Sequence, residues 1–167
     1  MKDGFFRTAA ATPKIRVADP VHNREEICKL ISKGHEQGVG LMVFPELCMT
    51  GYTCGDLFLQ DALIRSARKE LEEIAAFTKG LDMIIFVGLP WMHRGKLYNV
   101  AAAVCNGSLL GVVPKINLPN YSEFYERRHF TPGNHIPEMT KWQDGEVPMG
   151  TNLLFVCREH PELVIAS

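Results

Sequence analysis

Short runs of apolar residues, separated by longer stretches of mixed polarity, constrain the fold of this 167-residue chain more than any other feature. Runs of this length predict strands that are buried in a sheet lying between other layers. A proline directly follows four of the runs, and because proline has no backbone donor, a strand is expected to end there. The predicted strands are residues 5–12, 41–44, 83–89, 97–105 and 109–113.

Two segments between these runs have the periodicity of amphipathic helices. Apolar side chains recur at helical spacing in residues 23–37, which open with a capping-box pattern at Asn23 and Glu26. Residues 62–78 carry apolar side chains on one face and charged side chains elsewhere. Strands that alternate with helices predict a layered α/β domain, whose strands bring polar residues to their carboxyl ends.

The second half of the chain has a weaker pattern. Asn106 and Gly107 between two apolar runs are a strong hairpin signal, because both residues tolerate positive φ. Residues 117–150 lack a regular pattern, and irregular chain of this length predicts a loop that shapes a pocket. Two further apolar runs, at residues 152–157 and 163–167, predict strands.

Composition limits the classes of function. With 46% hydrophobic and 22% charged residues the chain is predicted to form one globular domain. Its net charge of -1 provides no field that would attract nucleic acid or an anionic membrane. No apolar run approaches the roughly 20 residues of a membrane helix. Five cysteines, an odd number at low density, predict reduced thiols. We therefore expect a cytoplasmic protein without nucleic-acid or membrane partners.

Two charged residues directly follow a proline at the end of an apolar run: Glu46 follows Pro45, and Lys115 follows Pro114. A carboxylate and an ammonium that meet at strand ends are suited to act as general base and oxyanion stabiliser in a partly dry cleft. A structural ion pair at the boundary of the core is the alternative. The residues alone leave both interpretations open.

Cys48 and Cys54 lie close to Glu46 in the sequence, and a thiol near a base and a cation is a candidate nucleophile. Neither cysteine lies on the sharp turn after a strand that presents a nucleophile, so buried thiols are favoured. A metal site is not supported, since the two cysteines are six residues apart and no histidine pair accompanies them. In residues 121–130, two carboxylates and two arginines predict a salt-bridged turn or short helix.

Several segments together resemble the nitrilase or carbon–nitrogen hydrolase superfamily. The Phe-Pro-Glu-Leu segment at Glu46, and Lys115 with Tyr121 and Glu123 soon after it, look like the first two catalytic segments of that superfamily. Longer blocks are similar, more narrowly, to glutaminase domains of the glutamine-dependent NAD synthetase family. These blocks are residues 10–13, 17–20, 50–58 and 118–128.

The resemblance implies an α/β fold, the nitrilase-like α-β-β-α sandwich, and hydrolysis of glutamine to glutamate and ammonia by a Glu-Lys-Cys triad. By position, Glu46 corresponds to the general base, Lys115 to the lysine that supports the tetrahedral intermediate, and Glu123 to an additional carboxylate. Three aromatic residues are implied to line the glutamine pocket: Tyr52, Tyr121 and Phe124.

The resemblance also implies partners outside the chain. A synthetase domain of the same polypeptide is expected to use ATP and Mg to convert deamido-NAD to NAD with the ammonia, and a homo-oligomer is expected. No cofactor is expected in this domain.

The nucleophilic cysteine of the family follows a strand that resembles residues 163–167, so we expect it after Ser167. Residues 1–167 are accordingly expected to be the N-terminal portion of a glutaminase domain, with the C-terminal part of the sandwich and the synthetase domain missing. Such a portion is expected to be inactive alone. Two alternatives are a free-standing amidase of the same superfamily and a non-catalytic structural module.

Overall fold

A computed structural model describes residues 4–120 and 125–166 of the chain. In chain order its elements are β1 (Thr8–Ala10), α1 (Pro20–Glu36), β2 (Leu41–Val43), a 3-10 helix (Gly55–Leu59), α2 (Asp61–Phe77), β3 (Ile84–His93), β4 (Lys96–Cys105), β5 (Ser108–Pro114), α3 (Glu126–His129), β6 (Glu138–Trp142), β7 (Gly145–Met149), β8 (Leu154–Val156) and β9 (Val164–Ala166). The predicted α/β class is confirmed.

Seven strands form one sheet in the order β1-β2-β3-β4-β5-β7-β6. Strands β1, β2 and β3 are parallel, and β4 pairs antiparallel with both β3 and β5. Because two successive antiparallel pairings restore the direction, β5 runs the same way as β2 and β3. The carboxyl ends of β2 and β5 therefore lie at the same edge of the sheet.

Helices α1 and α2 cover one face of this sheet. Alternate side chains of β3, including Ile85, Val87 and Leu89, are fully buried in the core that also contains Ile31 of α1 and Leu71 of α2. This alternation follows from the two-residue period of a strand. The central strands are held rigidly on this side, so the loops at their ends are supported by a packed core.

The opposite face of the large sheet is contacted by the small sheet β8–β9. The Phe86 ring meets the Phe155 ring edge-on, with ring centroids 5.4 Å apart. A Cβ added at Gly111 of β5 would lie 2.9 Å from Leu153 and 3.4 Å from Phe155, so the two sheets approach closely there. The described layers are therefore helices, a large sheet and a small second sheet.

The predicted hairpin at Asn106 and Gly107 is confirmed, with φ of 44° and 82° at the two residues. A second tight turn was not predicted. Strand β3 continues through Pro90, which was expected to lie in a connection, and the chain reverses at Arg94 and Gly95, with φ of 47° and 74°.

The predicted start of the first helix was wrong. Helix α1 begins at Pro20, and the Asp19 carboxylate caps it by accepting a hydrogen bond from the His22 backbone N–H. Asn23 lies inside the helix and is fully buried, where its amide donates to the backbone oxygens of Arg16 and Met49. Asn23 thus has the sequence pattern of a helix cap, although it is a buried residue that bonds the helix to a distant loop.

The prediction that residues 117–150 are irregular was also wrong, because α3 and the hairpin β6–β7 lie in this range. The two strands lie at one edge of the sheet and alternate between buried and exposed positions that carry charged residues. Burial is nevertheless substantial, since Trp142 of β6 stacks on Trp91 with ring centroids 6.0 Å apart. Two five-residue strands with mixed polarity give too weak a period to stand out from loop sequence.

No helix among residues 4–120 and 125–166 is long and apolar enough to cross a bilayer.

Gly88 of β3 sets how closely the chain after β2 approaches the sheet. A Cβ added at Gly88 would lie 2.4 Å from the Pro45 carbonyl oxygen and 2.5 Å from the Leu47 backbone nitrogen. These neighbours are backbone atoms, which cannot rotate away as a flexible side chain can. The turn that carries Glu46 therefore rests directly on glycine backbone.

We predict that Gly88→Ala displaces this turn and lowers the free energy of unfolding by about 1–3 kcal/mol, as overpacking of a tight core does. Gly145→Ala is the matched control, because a Cβ there meets no atom nearer than 3.9 Å. The control is expected to stay within about 0.5 kcal/mol of the wild type. Urea unfolding followed by near-UV circular dichroism measures both variants, and equal stabilities would contradict this account of Gly88.

Candidate active site

Glu46 lies in a tight turn directly after β2. Leu47 adopts a left-handed conformation with φ of 51°, which folds the chain back on itself. The Met49 N–H donates to the carbonyl oxygen of Gly88 at 3.1 Å, and the Cys48 N–H donates to the carbonyl oxygen of Pro45 at 3.2 Å. Backbone hydrogen bonds on both sides thus fix the direction in which the Glu46 side chain leaves the sheet edge.

Lys115 lies directly after β5, at the same edge. Its N–H donates to the Asn99 carbonyl oxygen at 2.8 Å, and its carbonyl oxygen accepts from the Gly133 N–H at 2.8 Å. Strands β3 and β4 separate it from Glu46 in the sheet, a distance of about 14 Å at ~4.8 Å per strand. Only long side chains that lean toward each other can span this distance.

The two side chains do meet. The Lys115 Nζ lies 2.7 Å from Glu46 Oε1 and 2.9 Å from Glu126 Oε1. The Tyr52 hydroxyl donates to the same Glu126 oxygen at 2.8 Å. Asn99 Nδ2 donates a further hydrogen bond to Glu46 Oε1. We call these five residues, Glu46, Tyr52, Asn99, Lys115 and Glu126, the polar cluster.

Burial differs sharply among the charged members of the polar cluster. The exposed fraction of the side chain is 39% for Glu46, 29% for Lys115 and 4% for Glu126. Burial of the ammonium opposes its charge, but the hydrogen bonds and charges of Glu46 and Glu126 outweigh this, so the pKa of Lys115 is raised above its usual value. Lys115 therefore stays protonated across the neutral range.

Glu126 was not predicted as a site residue. Its sequence neighbourhood suggested that the carboxylates and arginines of residues 121–130 pair with one another. Instead Glu126 pairs with Lys115, while Arg128 makes a two-pronged contact with Asp56. The predicted short helix is present as α3, but Glu126 and Arg128 pair with residues outside the segment. The other carboxylate, Glu123, lies outside the described residues, so its pairing stays a prediction.

Asn99 was also missed. It is 2% exposed and lies in the middle of β4, between apolar residues that pack in the core. An uncharged polar residue inside an apolar strand is a usable signal, because a buried amide requires hydrogen-bond partners. That signal indicates that a polar site is near but does not identify the partner.

Three of the predicted site residues, Tyr121, Glu123 and Phe124, lie outside the described residues. Their roles stay predictions. The structure places Tyr52 on Glu126, within reach of the ion pair, and its part in binding a substrate likewise stays a prediction.

The cysteines are free thiols, and none has a hydrogen bond or ion pair to the polar cluster within the described residues. Burial raises the pKa of Cys48 to about 12 and also raises that of Cys54. The Cys48 thiol donates to the Gly88 carbonyl oxygen, and the Cys54 thiol to that of Thr50. The interpretation of both as buried thiols fits this geometry, since a protonated thiol without a nearby base is a poor nucleophile.

No group of three or more metal-ligating side chains occurs in the described part of the chain. A groove of about 500 Å³ lies between α1 and α2 and is lined by residues such as Arg24, Cys28 and Phe77. None of its lining residues belongs to the polar cluster.

The polar cluster combines a half-exposed carboxylate with a protonated amine that a buried carboxylate holds in place. Such a pair is suited to removing a proton from an attacking group and to stabilising negative charge on an oxygen atom. Acyl transfer at a carbonyl or nitrile carbon needs both functions.

Comparison with known proteins agrees with this chemistry. The carbon-nitrogen hydrolase family matches residues 7–160, which is most of the chain and includes the whole polar cluster. The chain belongs to the carbon-nitrogen hydrolase family.

The individual proteins that resemble this chain point to a narrower group than the family as a whole. A glutamine-dependent NAD(+) synthetase from Mycobacterium tuberculosis is 37% identical over 97% of this chain and 24% of its own length. One from Aquifex aeolicus is 38% identical over 70% of this chain and 20% of its own length. The resemblance noted in the sequence is thereby confirmed. The chain spans about a quarter of the length of these relatives.

Solved structures place the family member in the nitrilase fold. The glutamine-dependent NAD(+) synthetase from Cytophaga hutchinsonii matches 92% of this chain and 26% of its own, with a TM-score of 0.86 and 31% identity. An amidase from Nesterenkonia sp. matches 87% of this chain and 54% of its own, with a TM-score of 0.66 and 24% identity, which shows the fold alone. The predicted nitrilase-like fold is confirmed.

Removal of the Lys115 cation tests how much the ion pair contributes to the free energy of unfolding. Lys115→Met leaves the buried Glu126 carboxylate without its cation. We expect the free energy of unfolding at pH 7 to fall by about 1–3 kcal/mol, less than the about 3–5 kcal/mol of a fully buried pair because Lys115 is partly exposed. Urea unfolding at pH 7 measures the loss.

The control is the double variant Lys115→Met/Glu126→Gln, in which the uncompensated carboxylate is also removed. It should regain at least half of the lost free energy of unfolding. If the single variant matched the wild type, the three charged groups would not form a coupled unit.

Proposed function

We propose that this chain contributes the base and the oxyanion-stabilising cation of a site that hydrolyses the side-chain amide of glutamine. The observation that carries the proposal is the Lys115 ammonium held between Glu46 and Glu126 in a chain whose relatives are glutamine-dependent NAD synthetases. The name of those relatives supports glutamine as the substrate, and the ion pair supports a base and a cation that act together.

In the proposed reaction, the Glu46 carboxylate takes the proton of a cysteine thiol. The thiolate forms a bond to the amide carbon, and the carbonyl oxygen becomes an oxyanion stabilised by the Lys115 ammonium. The tetrahedral intermediate collapses, the carbon–nitrogen bond breaks, and ammonia leaves with the proton from Glu46. Water, deprotonated by Glu46, then hydrolyses the thioester to glutamate and restores the thiol.

The proposed nucleophile is a cysteine that follows residue 167 in a longer polypeptide. Two observations support this: the chain spans only 24% of the length of its M. tuberculosis relative, and none of its own cysteines forms a hydrogen bond or ion pair with Glu46 or Lys115 within the described residues. On this proposal the 167-residue chain by itself releases no ammonia from glutamine.

The rest of the proposal concerns the longer protein. A synthetase domain, with ATP and Mg bound there, uses the ammonia to convert deamido-NAD to NAD, and the protein forms a homo-oligomer. A cytoplasmic location belongs to the same proposal and is supported by the free thiols of all five cysteines.

The test separates the two half-reactions in the full-length protein. Glu46→Gln keeps the shape of the side chain but removes the base, so NAD formation driven by glutamine should collapse while NAD formation driven by ammonia persists. Lys115→Ala should lower the glutamine-driven rate about 10²- to 10³-fold, the usual cost of one lost oxyanion donor. Steady-state rates with each nitrogen source measure both variants.

Full glutamine-driven turnover in both variants would show that the pair is structural. So would an equal loss of glutamine-driven and ammonia-driven rates together with a large fall in melting temperature, because a damaged fold affects both reactions.

A further inference from the structure

Asn99 contacts both members of the Glu46–Lys115 pair, through two different groups. Its side-chain Nδ2 donates to Glu46 Oε1. Its backbone carbonyl oxygen accepts from the Lys115 N–H at 2.8 Å. Asn99 lies on β4, which is next to β5 and two strands from β2. It therefore lies between the two charged residues.

Because of these contacts, the two carboxylate oxygens of Glu46 differ in the hydrogen bonds that they accept. Oε1 accepts hydrogen bonds from both Asn99 Nδ2 and Lys115 Nζ, which occupies both of its lone pairs. Among residues 4–120 and 125–166, no donor contacts Oε2. The oxygen that remains able to accept a proton in the plane of the carboxylate is therefore Oε2.

We propose that Asn99 is a positioning residue of the amidase reaction. It holds Glu46 Oε1 and the Lys115 backbone together, so that Oε2 of Glu46 is the oxygen that receives the thiol proton. This inference rests on the proposed function, since it assigns an atom to the base that the function requires.

Asparagine is suited to this task for physical reasons. Its amide is a donor without a charge, so it orients the carboxylate without adding to the cation already present. A strand position at 2% exposure leaves the side chain little freedom to rotate. A carboxylate oriented in advance avoids the cost of reorganisation at the moment of proton transfer.

The alternative is that Glu46 merely satisfies a buried amide. Both roles predict some loss of stability when Asn99 is changed, so stability alone does not separate them. Only a positioning role predicts that loss of the amide donor lowers kcat for glutamine hydrolysis while KM and ammonia-driven NAD formation are kept.

The experiment uses the full-length protein with Asn99→Leu and Asn99→Asp. Asn99→Leu removes the donor at similar size, and we expect kcat for glutamine hydrolysis to fall about ten- to hundredfold, the worth of one hydrogen bond to a charged group. KM should stay within about twofold, because the residue does not touch substrate, and ammonia-driven NAD formation should persist.

Asn99→Asp places a second carboxylate against Glu46, beside the Lys115 ammonium and with Glu126 on its far side. The amide donor is lost and repulsion between two carboxylates takes its place, so kcat should fall at least as far as in Asn99→Leu. Asn117→Asp is the matched control. It adds the same charge at an exposed position two residues after Lys115, and its kcat should equal that of the wild type.

The outcomes separate the positioning role from the proposed function. If Glu46→Gln is inactive with glutamine while Asn99→Leu and Asn99→Asp keep the wild-type kcat, the positioning role is wrong and the proposed function stands. If Glu46→Gln itself hydrolyses glutamine normally, the proposed function fails. If Asn99→Leu does not fold, kcat of the nearly isosteric Asn99→Asp, which also lacks the donor, decides, and a wild-type kcat overturns the inference.

Discussion

The ammonium of Lys115 is the interaction on which the rest of the site depends. Without it, the carboxylates of Glu46 and Glu126 would lie close together at a partly buried edge of the sheet, where repulsion between like charges is weakly screened. With it, the ends of β2 and β5 and the start of α3 are joined at one point. Three segments of the chain are thus positioned by a single cation.

The sheet makes this contact possible. Strands β2 and β5 end at the same edge because two antiparallel pairings lie between β3 and β5. The two intervening strands contribute one residue each to the site: Gly88 provides the space against which the Glu46 turn rests, and Asn99 bridges the pair. The gradient of exposure from Glu126 to Glu46 leaves the Glu46 carboxylate the more accessible of the two.

Much of this arrangement could be predicted from the sequence. Continuous apolar runs located the central strands, and a charge directly after a proline identified Glu46 and Lys115, because both signals are local. The start of α1, the β6–β7 hairpin, Glu126 and Asn99 could not be predicted in the same way. Each depends on a partner outside its own segment: Asn23 on Met49, Trp142 on Trp91, Glu126 on Lys115, and Asn99 on Glu46. Local patterns report which residues are polar or apolar but do not report which distant residue they will meet.

The central claim is that Glu46 activates a thiol that this chain does not itself supply. The most direct measurement treats the full-length protein with a chloromethyl ketone analogue of glutamine, which alkylates an activated thiol with loss of chloride, and locates the label by peptide mass spectrometry. We predict one labelled cysteine, after residue 167, and loss of that label in Glu46→Gln. A label on Cys48 or Cys54, or a label unaffected by Glu46→Gln, would contradict it.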